Sequence, residues 1–173
     1  YWNLDSTAIS GVSATNFYQP SFVSSSGTDT MIIAGSMVLH DSMTLYGFMG
    51  PLVMNGGLND SIVSSGHPHL NDIILDTYGD TLTIKDDMAT AGVLVYRRGG
   101  LFMDNRTITC NAFDSHKSGA RALRANNAVF NLTGQDTVLY IKEMDSIIGT
   151  GITVNVLNSA TNNTIGIGLG SIR

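Results

Sequence analysis

Turn-forming residues recur along this chain at nearly regular intervals, and this recurrence limits the fold more than any other feature of the sequence. Gly, Asn, Asp and Ser bound runs of about four to seven residues that are rich in β-branched and aromatic side chains. Divided at these turn clusters, the chain falls into segments that begin near Thr28, Phe48, His67, Ala89, Asn111, Gln135 and Thr161. Successive segments start 19 to 26 residues apart. The sequence therefore predicts a series of similar units, each with two or three short strands.

A repeat of this length is typical of a parallel β-solenoid, in which each unit makes one turn around a common axis. The strands of one turn pair with those of the turns on either side, and the inward side chains form one core. We therefore predict an all-β fold, a single-stranded parallel β-helix with about seven coils of 19–26 residues. The alternative is a β-sandwich, because about eleven short strands also fit that architecture. A sandwich has no reason to repeat at this interval, so the solenoid is favoured.

Two pairs of segments resemble each other at an offset of about two units. Met37–Met43 (MVLHDSM) has the pattern of Leu82–Met88 (LTIKDDM), which starts 45 residues later. Leu52–Gly57 (LVMNGG) resembles Leu101–Arg106 (LFMDNR), which starts 49 residues later. If the units stack, the two members of each pair should occupy equivalent positions two turns apart.

Alternation of apolar and polar residues indicates strands with one buried face. Leu82 and Ile84 have one parity, whereas Thr83 and Lys85 have the other. The run Val129–Leu132 alternates in the same way. No window of about 11 residues shows the apolar spacing of an amphipathic helix. The Asn, Gly and Ser residues between the strands supply the left-handed backbone that sharp corners need.

The composition excludes several classes of protein. The chain is 43% hydrophobic and only 13% charged, which is the opposite of a disordered sequence. No run of about 18 apolar residues occurs, so no membrane insertion is expected. Nine basic residues and a net charge of −5 are a poor match for nucleic acid. A single cysteine rules out a disulfide within the chain.

The stretch Gly99–Gly134 carries the most specific pattern in the chain. A glycine and an asparagine precede a Thr-rich strand, an x-F-x-S element follows, and an R-x-L element precedes another strand. The residues concerned are Gly100, Asn105, Thr107–Cys110, Phe113, Ser115, Arg121, Leu123 and Val129–Gly134. This pattern resembles the repeats of giant secreted surface proteins of the Bacteroidetes, including gliding-motility-type adhesins, and related β-solenoid repeats of some phage tail proteins. It departs from them at Arg97–Arg98 and at residues 120–128, where bulkier or basic residues replace small polar ones.

The resemblance implies an extracellular structural or adhesive segment of a large cell-surface protein, exported by the type IX pathway. On this interpretation, residues 1–27 end a preceding repeat and residues 28–173 are solenoid coils of a longer chain. The expected role is a stiff spacer and surface-contact module, with a polysaccharide or other surface ligand and other segments of the same chain as partners. The alternatives are a carbohydrate-binding or polysaccharide-degrading β-helix protein and a segment of a phage tail fibre. The resemblance implies no catalytic residues and no cofactor, so a non-enzymatic function is expected.

His67 and His69 have the spacing of a metal-binding pair. Residues i and i+2 of a strand share a face, so the two imidazoles would point the same way. A third ligand would have to come from Asp72 or His40. Two histidines without a third ligand in the motif are a weak signal, and a polar corner explains them better. No metal site is therefore assigned.

Two other sets of potentially reactive side chains are interpreted as structural. Cys110 ends the apolar strand TITC, where a free cysteine packs as a small hydrophobic residue. Asp86 and Asp87 are adjacent on a strand and should point to opposite faces, which makes them a poor catalytic pair. No catalytic residue is therefore expected among them.

Arg121 and three tyrosines are the remaining candidates. Arg121 shares the parity of Leu123 and is expected at the rim of the core, bonded to corner carbonyls or to an acid such as Asp114. Three tyrosines could stack on the sugar rings of a polysaccharide or pack at the rim: Tyr46, Tyr78 and Tyr96.

Overall fold

The computed structural model describes residues 8–10, 15–17, 30–39, 41, 50–57, 59–116, 119–142, 144–158 and 164–168. These residues form β-strands and turns and contain no helix. The strands are β1 (Ala8–Ser10), β2 (Thr15–Phe17), β3 (Met31–Ala34), β4 (Met37–Leu39), β5 (Leu52–Met54), β6 (Asp60–Val63), β7 (Ile73–Ile84), β8 (Met88–Ala89), β9 (Val93–Phe102), β10 (Thr107–Cys110), β11 (Ala112–Ser115), β12 (Arg121–Arg124), β13 (Val129–Leu132), β14 (Thr137–Lys142), β15 (Ser146–Ile148), β16 (Thr153–Val156) and β17 (Thr164–Gly168). Within the described ranges, no helix has the length and hydropathy that a membrane crossing would need.

All of these strands pair in parallel, and they lie on three sides of a solenoid. Side 1 consists of β1, β3, β5, the first part of β7, the first part of β9, β11, β14 and β17. Side 2 consists of β2, β4, β6, the second parts of β7 and β9, β12 and β15. Side 3 consists of β8, β10, β13 and β16. The prediction of a parallel β-solenoid is confirmed, because the strands of successive turns pair in parallel and a sandwich is built from antiparallel sheets.

Paired strands of successive turns are separated in sequence by about the unit length that the turn clusters predict. The shortest step on side 1 joins Leu94 to Phe113, nineteen residues later. Longer steps join Phe113 to Leu139, twenty-six residues later, and Thr137 to Thr164, twenty-seven residues later. The solenoid has about five turns, fewer than the predicted seven. Side 3 is described from the bridge between His69 and Thr90 onward.

The alternation of side chains places one continuous apolar core inside the three sides. Leu82 and Ile84 are buried, as predicted, while Thr83 is half-buried and Lys85 is exposed. Val129–Leu132 alternates in the same way, with its second and fourth residues inside. Burial of one such Leu, Ile or Phe side chain contributes about 1.5 to 3 kcal/mol to stability. Because these side chains recur in every turn, the core continues from one turn to the next.

An aromatic stack fills the middle of this core. The ring of Phe113 lies between those of Tyr96 and Phe130, with centroid distances of 6.4 Å and 5.1 Å. Both pairs are tilted, in the range that aromatic quadrupoles favour. Tyr96 and Phe113 belong to successive turns of side 1, whereas Phe130 belongs to side 3, so the stack joins two turns and two sides of the core.

The two internal similarities have different outcomes. Met37 and Leu82 both lie on side 2, two turns apart, but the register aligns Met37 through Ile62 with Ile84, two residues beyond Leu82. Residues 40, 42 and 43 of the first segment lie outside the described residues. The prediction for Leu52–Gly57 and Leu101–Arg106 is wrong. Leu52 lies on side 1 and aligns with Ile73, whereas Leu101 lies on side 2. The cause is that β9 crosses the corner, so one strand supplies residues to two sides.

The corner between sides 2 and 3 contains the left-handed residues that the sequence predicts. Ser65, Asn105, Asn127 and Gly151 have φ values of 48°, 56°, 50° and 69° in successive or nearby turns. The Asn127 side chain donates from Nδ2 to Oδ1 of Asn105 at 3.1 Å. Asn is favoured here because it tolerates this conformation and its amide can bond the equivalent amide one turn away.

Candidate functional site

Charged and aromatic side chains collect at the corner between sides 1 and 2. We call this the Tyr78 corner, formed by residues 76–80, 97–99, 116 and 119–120 of successive turns. The strand register shifts on both sides of Asp76, which re-aims the side chains that follow. Gly79 and Gly99 have φ values of 77° and 93°, so the chain can bend there without strain.

Tyr78 and Arg98 form the exposed part of this corner. The guanidinium carbon of Arg98 lies 3.4 Å from the centroid of the Tyr78 ring, a cation–π contact. Asp76 forms an ion pair with Nε of Arg98 and lies 3.8 Å from the nearest terminal nitrogen of Arg97. The pKa of Arg98 is raised above its ordinary value, mainly by the hydrogen bond with Asp76 and to a smaller extent by one with Tyr78. Tyr78 is nevertheless 70% exposed, so Arg98 covers only one part of its ring.

A second polar group lies at the edge of the same corner. Asp114 accepts a hydrogen bond from the backbone N–H of His116 at 3.1 Å and pairs with Nδ1 of the same residue. The His116 ring lies 5.2 Å from the ring of Tyr140 in the next turn. These contacts fix the orientation of an imidazole that is about one-third exposed.

Beneath the corner, Arg121 is almost fully enclosed, at 1% exposure. Its NH1 group donates to the carbonyl and the hydroxyl of Ser115, the latter at 3.0 Å. Its Nε donates to the carbonyl of Gly119 at 3.2 Å, and NH2 donates to the carbonyl of Lys142 at 2.6 Å. The predicted bonding to corner carbonyls is confirmed, although the side chain lies within the core and not at its rim.

Tyr96 is buried beside this network, so of the two alternatives for this residue, stacking on sugars and packing at the rim, stacking on sugars is excluded. It is 1% exposed and its hydroxyl contacts the carbonyls of Gly99 and Ala122. The N–H of Ala122 donates to that hydroxyl at 3.1 Å. Burial raises the pKa of Tyr96 far above its ordinary 10. The sequence contained the signal for this position, because Tyr96 shares the parity of the core residue Leu94. Tyr46 lies outside the described residues.

The adjacent carboxylates Asp86 and Asp87 bond to different turns. Asp86 accepts from the backbone N–H groups of Ser64 and Ser65, at 2.8 Å and 2.6 Å, in the preceding turn. Asp87 accepts from the N–H of Thr107 at 2.8 Å in the following turn. The two carboxylates therefore point apart, which confirms that they are a poor catalytic pair. Each satisfies a corner N–H group that the strand ladders leave free.

Cys110 has the structural position that the sequence indicates. It is 0% exposed on β10, and burial raises the pKa of its thiol to about 12. A thiol with this pKa is almost entirely protonated at neutral pH and makes a poor nucleophile.

The two candidate metal ligands His67 and His69 are both half-buried, and His69 lies on side 3, where it pairs with Thr90. Across the described ranges, no group of three or more His, Cys, Asp or Glu side chains is arranged to hold a metal ion. His40, one of the residues considered as a third ligand, lies outside those ranges. Asp72, the other, accepts a hydrogen bond from the N–H of Val93 at 2.7 Å.

His69 should make stability depend on pH. Burial lowers its pKa from 6.5 to about 4, against smaller opposing effects of Gly50 and Asp72. The unfolded chain therefore binds more protons than the folded chain between these two values, so the free energy of unfolding falls as pH decreases from about 6.5 towards 4. We expect this residue to account for a loss of about 2 to 3 kcal/mol.

Urea unfolding of the wild type and of His69→Gln at pH 7 and pH 4.5 measures this contribution. The loss between the two pH values should be smaller in the variant by about 2 kcal/mol or more. The difference between the losses of the two chains excludes the contribution of the carboxylates, because both chains contain the same ones. Equal losses in the two chains would contradict the assignment.

Sequence reasoning missed the contacts that join successive turns at the Tyr78 corner. Asp76 and Arg98 are 22 residues apart, and their contact joins two successive turns. Asp104 and Arg124, which pair at the corner between sides 2 and 3 at a distance of 2.8 Å, are 20 residues apart. Both offsets are about one unit of the repeat, so pairs of opposite charge separated by one unit length were the available signal. Comparisons with protein-family models, with curated proteins and with solved structures find no match to this chain.

Proposed function

We propose that this chain is an extracellular structural module of a large cell-surface protein, serving as a stiff spacer that also contacts a surface ligand. The observation that carries the proposal is the set of parallel strand ladders that join successive turns on the three sides. Each turn is held by the turns on either side of it, and the result is a rod whose length is set by the number of turns. The β-solenoid fold is consistent with a structural repeat module.

The hydrogen bonds of the acidic side chains support a structural role over a catalytic one. Asp86 and Asp87 bond to the backbone of neighbouring turns. Asp104 accepts from the backbone N–H and the amide of Asn126, at 2.9 Å and 3.0 Å. These contacts lower the pKa of Asp104, and the hydrogen bond from the backbone N–H of Asn126 contributes most to this shift. We propose that such acids stabilise the corners and that the module has no enzymatic activity of its own.

Spin labels on the outer face of side 1 test the stiffness. Ile32 and Tyr140 are outward positions of the same side, separated by five strand spacings through Val53, Ile74, Val95 and Asp114. At about 4.8 Å for each spacing, labels at Ile32→Cys and Tyr140→Cys should lie roughly 24 Å apart. The buried Cys110 should not react, so it does not complicate the labelling.

A single narrow distance distribution, measured by double electron–electron resonance, is the expected result. The same labelled chain in concentrated urea provides the control, with a broad distribution. A broad distribution in the native chain would contradict the spacer role. The solution mass tests the alternative of a phage tail fibre, because a stable trimer would favour the fibre and overturn the proposal.

A further inference from the structure

We propose that the Tyr78 corner binds a carboxylated polysaccharide, with a sugar ring on the open face of Tyr78 and its carboxylate on Arg97 and Arg98. This inference rests on the proposed surface-contact function and specifies its ligand. The site consists of Asp76, Tyr78, Asp80, Arg97 and Arg98, which belong to two successive turns.

Tyr78 provides a fixed aromatic platform. With 70% of the residue exposed and a guanidinium carbon 3.4 Å from the ring centroid, the covered face is the one towards Arg98. The opposite face is therefore open to solvent. A large exposed ring is costly to leave in water, and the apolar face of a pyranose ring is a partner that would cover it. The contact with Arg98 also fixes the ring before the ligand arrives, which reduces the entropy lost on binding.

The two arginines provide donors for a carboxylate. A guanidinium group has five N–H donors in a planar fork that fits a carboxylate. Asp76 contacts Nε of Arg98 and lies at the longer distance of 3.8 Å from Arg97, whose side chain is 43% exposed. One carboxylate therefore faces two guanidinium groups, and N–H donors remain for a second carboxylate supplied by a ligand.

The charges around the corner favour recognition by short-range contacts over long-range electrostatic attraction. Asp80 lies in the same turn as Tyr78 and is half-buried. With Asp76, it balances the charges of Arg97 and Arg98, so the four side chains together carry no net charge. The chain as a whole carries a net charge of −5, which repels polyanions at long range. Recognition should therefore depend on short-range stacking and hydrogen bonds to single uronic-acid units.

The chain contains a matched site that lacks these properties. At the corner between sides 2 and 3, the guanidinium carbon of Arg124 lies 4.1 Å from the ring centroid of Phe102, and Arg124 pairs with Asp104. Here the ring is half-buried and has no hydroxyl, and Asp104 is bonded to Asn126 of the next turn. This second triplet has the same composition of acid, arginine and aromatic ring, and its arginine is 42% exposed, so it differs from the first mainly in its half-buried ring. It serves as the control for the first.

Binding of polygalacturonate, followed by biolayer interferometry, tests the proposal on the whole chain. The wild type should bind polygalacturonate and not the neutral glucan dextran. Tyr78→Ala and Arg97→Gln should each weaken binding roughly tenfold, while Phe102→Ala and Arg124→Gln should bind as the wild type does. Arg97→Gln changes an exposed side chain, so its result does not depend on whether Tyr78→Ala folds.

Three outcomes would overturn the proposal. The first is no binding by the wild type, and the second is equal weakening by the variants at the two corners. The third is binding of polyglutamate in place of polygalacturonate, which would assign the corner to an acidic protein. If the spin labels still report one narrow distance, the spacer function stands although the ligand proposal has failed.

Discussion

Replacing Arg121 with Met is expected to lower the free energy of unfolding by about 3 to 5 kcal/mol. Methionine fills much of the same space, so the cost comes mainly from the hydrogen bonds and not from a cavity. The carbonyls of Ser115, Gly119 and Lys142 would lose the donor that Arg121 supplies to each of them. The carbonyl and the hydroxyl of Ser115 are buried, and each buried acceptor left without a donor costs about 1 to 3 kcal/mol. Gly119 and Lys142 are exposed residues, so the loss of the donor costs less at their carbonyls.

Urea denaturation followed by circular dichroism measures this effect. Arg106→Met is the matched control, because Arg106 is only half-buried and the same change there should cost less than about 0.5 kcal/mol. Arg121→Lys should recover part of the stability, since an ammonium group can still donate to some of the carbonyls. An Arg121→Met chain that unfolds at the same urea concentration as the wild type would contradict the structural role of this arginine.

Replacing Phe113 with Ala is expected to cost about 3 to 5 kcal/mol as well, for a different reason. The Phe113 ring is 0% exposed and lies between those of Tyr96 and Phe130. Removing it leaves a cavity in the middle turn of the solenoid, which the stiff ladders on three sides cannot collapse to fill. The turns on either side would lose part of the interface that couples them.

Equilibrium unfolding distinguishes this loss of coupling from a simple loss of stability. In a stacked repeat, a weakened central interface allows the two halves to unfold separately, so the slope with denaturant should decrease along with the midpoint. Phe113→Leu retains most of the volume and should cost less than half as much. If Phe113→Ala and Phe113→Leu were equally destabilising, the cavity would not be the cause.

The sequence predicted those parts of the fold that depend on local patterns. The parity of Leu82 and Ile84 and the turn residues at Asn105 and Asn127 are visible within a few residues, and the unit length follows from the turns. The side on which a strand lies is not a local property. Leu52 and Leu101 look alike in sequence, but β9 crosses a corner and takes Leu101 to another side.

The candidate site was less predictable than the fold because it is made by contacts between turns. Tyr78 and Tyr96 look similar as candidates in the sequence, yet Tyr96 is in the core and Tyr78 is 70% exposed. The alternation of inward and outward side chains predicts their directions only up to the corner, because the register shifts at Asp76 interrupt it. Beyond that point the direction of Tyr78 depends on the bend at Gly79 and on Arg98 in the next turn.

The opposite directions in which Asp86 and Asp87 bond have a consequence for how such a chain can evolve. One aspartate fastens its turn to the preceding turn and the other fastens it to the following turn. A gene segment that encodes one such unit therefore carries the connections for both of its neighbours. Duplication or deletion of the unit within the coding sequence would change the length of the rod and leave every junction intact. Length can thus be inherited and adjusted in whole turns, without redesign of any interface.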